Sequence, residues 1–271
     1  MLDGGQAFRW NHLGEGVWEG SFGPWRARLR SGRNQQVQWC GPRQAVDTLE
    51  PALRHYLALD SEQDALRDNL PWRSDPILAK ALGAFPGLRI LRQPVHEALF
   101  GFLCSANKRI PQIKEGIARV AREHGVSTPT GGLQLPTWES LGEMGESPLR
   151  ACRLGYRAKS IHGTALFLSQ NPGWLEEAMA LPAVQCRDRL CQLPGVGVKI
   201  ADCVRLFGGA HYDAFPIDTW ILRVMRELYG LEEWQPSALQ TFARIHFGEG
   251  AGIAQQYLFA YARSLSRSQA G

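Results

Sequence analysis

The sequence predicts a mainly helical protein, α+β overall, in which a short antiparallel β-meander precedes a helical remainder. Three observations predict it. In Trp25-Arg26-Ala27-Arg28-Leu29-Arg30 apolar residues alternate with arginines, the period of a half-buried strand. From Pro94 onward the apolar residues recur at helical spacing instead, as in Val95, Ala98, Leu99, Phe102 and Leu103. The stretch Leu193-Pro194-Gly195-Val196-Gly197-Val198-Lys199-Ile200-Ala201-Asp202-Cys203 then reads as the end of one helix, a glycine hairpin and the start of a second helix.

Each element follows in order. Gly4-Gly5-Gln6-Ala7-Phe8-Arg9-Trp10 either turns with exposed carbonyls or simply leads into a strand. Strands are expected at Val17-Trp18, Trp25 to Arg30 and Val37 to Cys40, punctuated by Gly23-Pro24 and Ser31-Gly32-Arg33-Asn34. The arginine row could touch phosphates or form a solvated face. Ala45 to Leu59 has helical spacing, and Ser74-Asp75-Pro76 starts another helix with proline in its first turn. Gly87 to Gln93 reads as extended and crosses between two lobes, dividing an N-terminal unit, 1–92, from a second unit, 93–271.

Pro94 to Ala106 is a helix that ends in Asn107-Lys108-Arg109. That end could bind phosphate or insert between strands; a cationic cap favoured by the helix dipole explains it as well. Ile113 to Glu123 is helical and Gly125 closes it; residues 125–136, rich in glycine and proline, read as a loop. In Leu154-Gly155-Tyr156-Arg157-Ala158-Lys159 an aromatic sits among basic residues, suited to stacking on a base or equally to packing at a helix start. Helices are expected at Gln185 to Gln192, Val198 to Phe207, Thr219 to Tyr229 with Asp218 as N-cap, Ser237 to Phe247 and Ala254 to Leu265.

Composition bounds the function. A formal charge of +4 is compatible with nucleic acid without requiring it. The six cysteines are scattered and form no disulfide framework. Cys186 and Cys191 lack a second pair for zinc, and no C-terminal cysteine cluster could hold an iron–sulfur centre. No signal-peptide core or membrane-spanning run is present, so an intracellular location is expected.

Lys199, Cys203 and Asp218 carry the chemical interest. The hairpin amides and the open end of the second helix can face an anion such as a DNA phosphate. Lys199 stands in the first turn of that helix, with Cys203 on the same face one turn on. An amine with a reference pKa of about 10.4 attacks only after losing its proton, which burial and the positive end of a helix favour. Attack on a sugar carbon, followed by ring opening, gives an imine, and a nearby carboxylate stabilises the positive charge that develops. Alone, such a lysine is usually a phosphate contact and such an aspartate a helix cap. The hairpin, the lysine and Phe215-Pro216-Ile217-Asp218-Thr219-Trp220 together are far more specific.

That constellation resembles the helix-hairpin-helix DNA glycosylase superfamily, and within it the 8-oxoguanine DNA glycosylase/AP lyase family. Besides the hairpin, the resemblance runs through Gly5 to Trp10, Gly87 to Gln93, Leu103-Cys104-Ser105-Ala106-Asn107, Leu154 to Ala158 and Ala254-Gln255-Gln256-Tyr257-Leu258-Phe259. It implies a helix-hairpin-helix glycosylase domain behind an N-terminal sheet domain. It further implies that the chain excises 8-oxoguanine from duplex DNA and nicks the strand, with Lys199 as Schiff-base nucleophile and Asp218 as catalytic acidic residue. Gly5 would present its carbonyl to the lesion, Cys203 and Phe259 would sandwich the extruded base, and Gln255 would bind its pairing edge. Asn107, with Lys108 and Arg109 beside it, would fill the vacated duplex, while Tyr156 and Arg157 would lie near the opposite cytosine. The hairpin around Gly195 and Gly197 would hold a phosphate, often through a monovalent cation on backbone carbonyls near Leu193 and Val196. No other cofactor and a monomeric state are expected.

Two departures stand out. Lys108, Arg109 and Gln112 replace the asparagines or further arginine that the family often carries, which leaves the opposite-base preference open. Trp220 stands where a histidine is frequent. A glycosylase for another oxidised or alkylated base, or a non-catalytic DNA-binding module, are the competing readings.

Overall fold

The computed structural model describes residues 1–32 and 36–268, so the Arg33-Asn34 half of the expected turn lies outside the described residues. The sheet is an antiparallel meander in the order β1 (Trp10–Gly14), β2 (Val17–Phe22), β3 (Trp25–Ser31) and β4 (Val37–Cys40). Alternation works as expected on β3, where Ala27 and Leu29 are buried while Arg26, Arg28 and Arg30 are exposed. β1 follows directly on the Gly4 to Trp10 stretch, the strand entry that is one of its two readings. It is an edge strand that buries only Trp10, so it has no alternation to read. The inner face packs on α1 (Val46–Tyr56), where Leu49, Leu53 and Tyr56 close a small core with Trp10 and Phe22.

The helical part follows: α2 (Gln63–Asp68), α3 (Pro76–Ala84), α4 (Val95–Ser105) and α5 (Ile110–His124). The expected loop at 125–136 instead holds a two-stranded ribbon, β5 (Val126–Ser127) with β6 (Leu133–Gln134). Then come α6 (Trp138–Met144), α7 (Glu146–Leu149), a π-turn over Arg150–Leu154, α8 (Arg157–Gln170), α9 (Trp174–Met179) and α10 (Ala183–Leu190). Last are α11 (Val198–Gly209), α12 (Thr219–Glu227), α13 (Pro236–His246) and α14 (Ala251–Ser268).

Helix α4 departs from its amphipathic reading. Phe100, Gly101 and Cys104 are buried along with the expected face, because α5, α8 and α11 all pack on it. α5 begins earlier than expected. Pro111 fits its first turn, and the Gln112 side chain accepts from the Arg109 amide at 3.2 Å. The core divides differently from the chain: Leu70, Leu78, Ala81 and Ile90, all before residue 92, join the large helical core, where α3 packs on α14.

The strap at 87–93 has no regular structure and ties the two cores together. The amide of Arg92 donates to the Tyr56 carbonyl at 2.9 Å, that of Leu91 to Gln6 Oε1 at 2.9 Å, and that of Gln93 to the Phe207 carbonyl at 2.8 Å. The Gln6 amide closes the loop on the Arg89 carbonyl at 2.9 Å. A second tie is the Arg9–Glu97 ion pair, where Glu97 also accepts from the Gly23 amide at 3.0 Å. Burial pushes the Glu97 carboxyl up, against the pull of Arg9. Among the described residues no helix is long and apolar enough to cross a membrane.

Candidate active site

The hairpin joins α10 to α11, and its two glycines do different work. Gly195 has φ +80, and a Cβ there would stand 2.5 Å from Ser160 Cβ, so conformation and space both require glycine. Gly197, the N-cap of α11, has φ −96 and nothing within 4 Å of where a Cβ would lie. Its missing side chain therefore leaves open surface and not a packed turn, a correction to the reading of both glycines as conformational. No side chain caps α11, and Val198 beside the gap is 50 % exposed, so the helix starts at the surface with its first amides free of a side-chain cap. The Pro194 carbonyl is held from behind by the buried hydroxyl of Thr164 at 3.0 Å.

Lys199 is half-buried in that first turn. Its Nζ donates to Ser105 Oγ at 3.4 Å and lies 5.5 Å from the centroid of the Phe102 ring, both on α4. Ser105 was not singled out from the sequence; its place beside the lysine comes from the packing of α4 on α11. Asp218 caps α12, its carboxylate accepting from the Ile221 amide at 2.8 Å. Burial pushes its carboxyl above the usual carboxylate range, while the Ile221 amide and the charge of Lys199 pull it down. Cys203 is buried, and burial holds its thiol up at about 12 despite the nearby Lys199 charge. It is therefore an uncharged thiol at neutral pH and no nucleophile.

The two ends of the chain meet one another. Gly5 has φ +84, and a Cβ on it would lie 3.6 Å from Phe259 Cζ and 3.3 Å from Ile110 Cδ1. Phe259 is half-buried, with the Arg263 guanidinium 5.5 Å from its ring centroid. One helical turn earlier Gln255 is buried, its Nε2 donating to the Pro216 carbonyl at 3.0 Å and its Oε1 accepting from Gln256 at 2.6 Å. In this state the Gln255 amide braces the segment that leads to Asp218. Trp220, in the first turn of α12, packs against the large core.

The basic residues after α4 do not all face outward. Asn107 is exposed, with φ +49, and its Nδ2 donates to Tyr156 Oη at 3.3 Å. Tyr156 is 56 % exposed and Arg109 is also exposed. Arg157 is buried; its guanidinium donates to the Ala106 carbonyl and, at 3.3 Å, to that of Leu154, while stacking 4.4 Å from the Tyr156 ring. It fastens the end of α4 to the start of α8 and so positions Asn107 and Tyr156. Lys108 turns back to the Arg153 carbonyl, and burial, with Arg157 beside it, pushes its amine down. Gln112 is spent on its own helix start. A further cluster that the sequence did not flag joins Glu123, His124 and Cys152 at the end of α5, their ligand atoms within 4.8 Å of one another.

This fold and site are those of a helix-hairpin-helix base-excision protein. Residues 100–246 match the family model described as HhH-GPD superfamily base excision DNA repair protein, and residues 1–99 match 8-oxoguanine DNA glycosylase, N-terminal domain. The N-glycosylase/DNA lyase OGG1 of Arabidopsis thaliana is 30 % identical over 94 % of this chain and 74 % of its own length. The crystal structure of Clostridium acetobutylicum 8-oxoguanine glycosylase/lyase with double-stranded DNA containing cytosine opposite 8-oxoG superposes with a TM-score of 0.89, at 31 % identity, covering 98 % of this chain and 91 % of that one. The 3-methyladenine DNA glycosylase of Archaeoglobus fulgidus shares the fold, with a TM-score of 0.71 at 21 % identity, over 94 % of this chain and 89 % of that one. The chain belongs to the 8-oxoguanine DNA glycosylase/lyase family.

Proposed function

We propose that this chain excises 8-oxoguanine from duplex DNA as a bifunctional glycosylase and AP lyase, with Lys199 as its nucleophile. The family relationship supports the activity and the substrate class. The observation that carries the mechanism is the placement of Lys199 Nζ, half-buried beside Ser105, with Asp218 near enough for the two charges to act on each other.

The damaged nucleotide leaves the stack at a cost of a few kcal/mol. Cys203 and Phe259 receive the base between an uncharged thiol and an aromatic face. The Gly5 carbonyl accepts from the N7 hydrogen that 8-oxoguanine carries; guanine has a lone pair there, and two acceptors would face one another unsatisfied. Gln255 reads the pairing edge, exchanging its internal partners for the base. The Lys199 lone pair then forms a bond to C1′ as the bond from C1′ to the base breaks, and Asp218 stabilises the positive charge growing on the sugar. Ring opening gives an imine, and loss of a C2′ proton expels the 3′ phosphate.

Gly197 and the open start of α11 take a phosphate. The neutral carbonyls near Leu193 and Val196 suit a weakly hydrated monovalent cation in place of a divalent one, although the Leu193 carbonyl already accepts from the Val196 amide at 3.0 Å. The chemistry itself uses no cofactor. Asn107 enters the vacated stack with Tyr156 beside it, and the protein works as a monomer in the compartment that holds DNA.

Borohydride is expected to trap a covalent complex between the protein and a duplex containing 8-oxoguanine. Lys199→Gln is expected to abolish trapping while DNA binding persists. Undiminished trapping in that variant would sink the assignment, and turnover of an alkylated-base duplex in preference to the 8-oxoguanine duplex would sink the substrate.

A further inference from the structure

Gln240 lies on α13, outside both elements that carry the catalytic groups. Its Nε2 donates to Asp202 Oδ2 at 2.9 Å and to the Phe215 carbonyl at 2.9 Å. A primary amide nitrogen has two hydrogens, and both are spent here. Each acceptor leads to one half of the reaction centre. Asp202 lies between Lys199 and Cys203 on α11, its carboxylate 1 % exposed and its other oxygen bonded to Arg205 Nη1 at 3.0 Å. Phe215 begins the Phe215-Pro216-Ile217-Asp218 segment, which has no regular secondary structure and is located by what grips its carbonyls. Gln255 grips Pro216 from α14; Gln240 grips Phe215 and, with the same nitrogen, the catalytic helix.

The geometry points to Gln240 as a positioning residue for the reaction: one amide fixes the segment that carries Asp218 against the helix that carries Lys199. This rests on the assignment of Lys199 and Asp218 as the catalytic pair. No other uncharged side chain reproduces the link at this length. Glutamate would set a third acceptor against two, and methionine would leave a buried carboxylate oxygen and a buried carbonyl each short of a donor. The loosened segment would let Asp218 drift from the sugar, and a displacement near 1 Å costs up to about a hundredfold in rate.

The test uses the full chain with Gln240→Met, which keeps length without donors, and Gln240→Asn, which keeps the amide but shortens its reach. Three readouts are taken: single-turnover excision of 8-oxoguanine, affinity for a duplex with an uncleavable abasic-site analogue, and the pH profile of excision. Both variants are expected to lose about tenfold or more in excision rate. They are expected to keep wild-type DNA affinity, and their acid limb moves to lower pH as water reaches Asp218. A wild-type rate and limb overturn the proposal, and so does an affinity that falls in parallel with the rate. If Gln240→Met fails to fold, Gln240→Asn decides alone by the same criteria. A wild-type chain that does not excise, or Lys199→Gln that still traps, overturns the functional reading and the proposal with it; failure confined to the Gln240 variants overturns the proposal alone.

Discussion

Gly5 and Phe259, from opposite ends of the chain, stand face to face: a Cβ on Gly5 would lie 3.6 Å from Phe259 Cζ. Under the proposed function, a base that enters beside Phe259 would meet the Gly5 backbone. Gly5→Ala adds a methyl at φ +84 and 3.3 Å from Ile110. It is expected to cost about 1 kcal/mol or more in stability through the left-handed backbone alone. Shifting the carbonyl is expected to lower 8-oxoguanine excision about tenfold or more. Nicking of a preformed abasic site, which needs no base in the pocket, changes less. Single-turnover assays on the two duplexes check this, and equal losses on both would contradict it.

Asp218→Asn keeps the acceptor that caps α12 and removes the charge. The helix stays capped, so thermal stability near neutral pH is expected to hold or rise, since burial disfavours the charged carboxyl. Excision is expected to fall about a hundredfold or more as the charge that answers the developing cation is lost. Asp218→Ala, by contrast, also loses about 1 kcal/mol of capping.

The pH dependence has a definite sign. The folded Asp218 carboxyl is raised, so the folded chain holds its proton more tightly than the unfolded chain. Its destabilising contribution is absent below the unfolded pKa and is complete above the folded one. If Asp218 acts as proposed, activity needs the charged form, and excision is expected to drop on acidification at a pH above that of an ordinary carboxylate. Lowering of that limb to the ordinary carboxylate pH would show that burial does not control it.

Asp75 behaves in the opposite way. Burial alone would raise its carboxyl, but the Leu78 amide, His246 and the Tyr229 hydroxyl together hold it below the usual range. It caps α3 and ties that helix to Tyr229 at 2.7 Å and to His246 at 3.0 Å. The stability it provides is complete above the unfolded pKa and is lost as pH falls through the depressed folded value. Asp75→Ala is expected to cost about 2–4 kcal/mol at neutral pH, leaving the buried Leu78 amide and the partly buried Ile77, Tyr229 and His246 donors without their acceptor. Urea denaturation at neutral and acidic pH checks this, and the difference between wild type and variant should shrink in acid.

Cys203, held at about 12, is expected to resist alkylation in the folded chain while the exposed Cys40 reacts. If Cys203 forms a wall of the base pocket, Cys203→Ala narrows the preference for 8-oxoguanine over guanine. An unchanged preference would make it packing alone. Excision rates on the two duplexes decide between these.

The sequence by itself determined the class of fold and the centre of the chemistry. Both are written locally: a strand period on β3, helical periods after Pro94, and a hairpin whose glycines, lysine and cysteine lie within eleven consecutive residues, with the Pro-Ile-Asp cap shortly after. It also named Gly5, Gln255 and Phe259, though only by likeness to a family, since no local physics links residues so far apart. Tertiary structure decided what each polar side chain is spent on. Arg157 and Lys108 read as outward cations and are turned onto backbone carbonyls, Arg157 onto that of Ala106 at the end of α4 and Lys108 onto that of Arg153 in the π-turn before α8. Gln240 gave no signal at all, and Ser105 appeared only within the Leu103 to Asn107 segment, with no role of its own. A serine at a helix end and a glutamine on an amphipathic helix are ordinary in sequence. They acquire meaning only when α4 packs on the helix that carries Lys199 and Gln240 of α13 reaches both that helix and the segment that carries Asp218. Hydrogen-bond partners distant in sequence are set by that packing, and no periodicity encodes them.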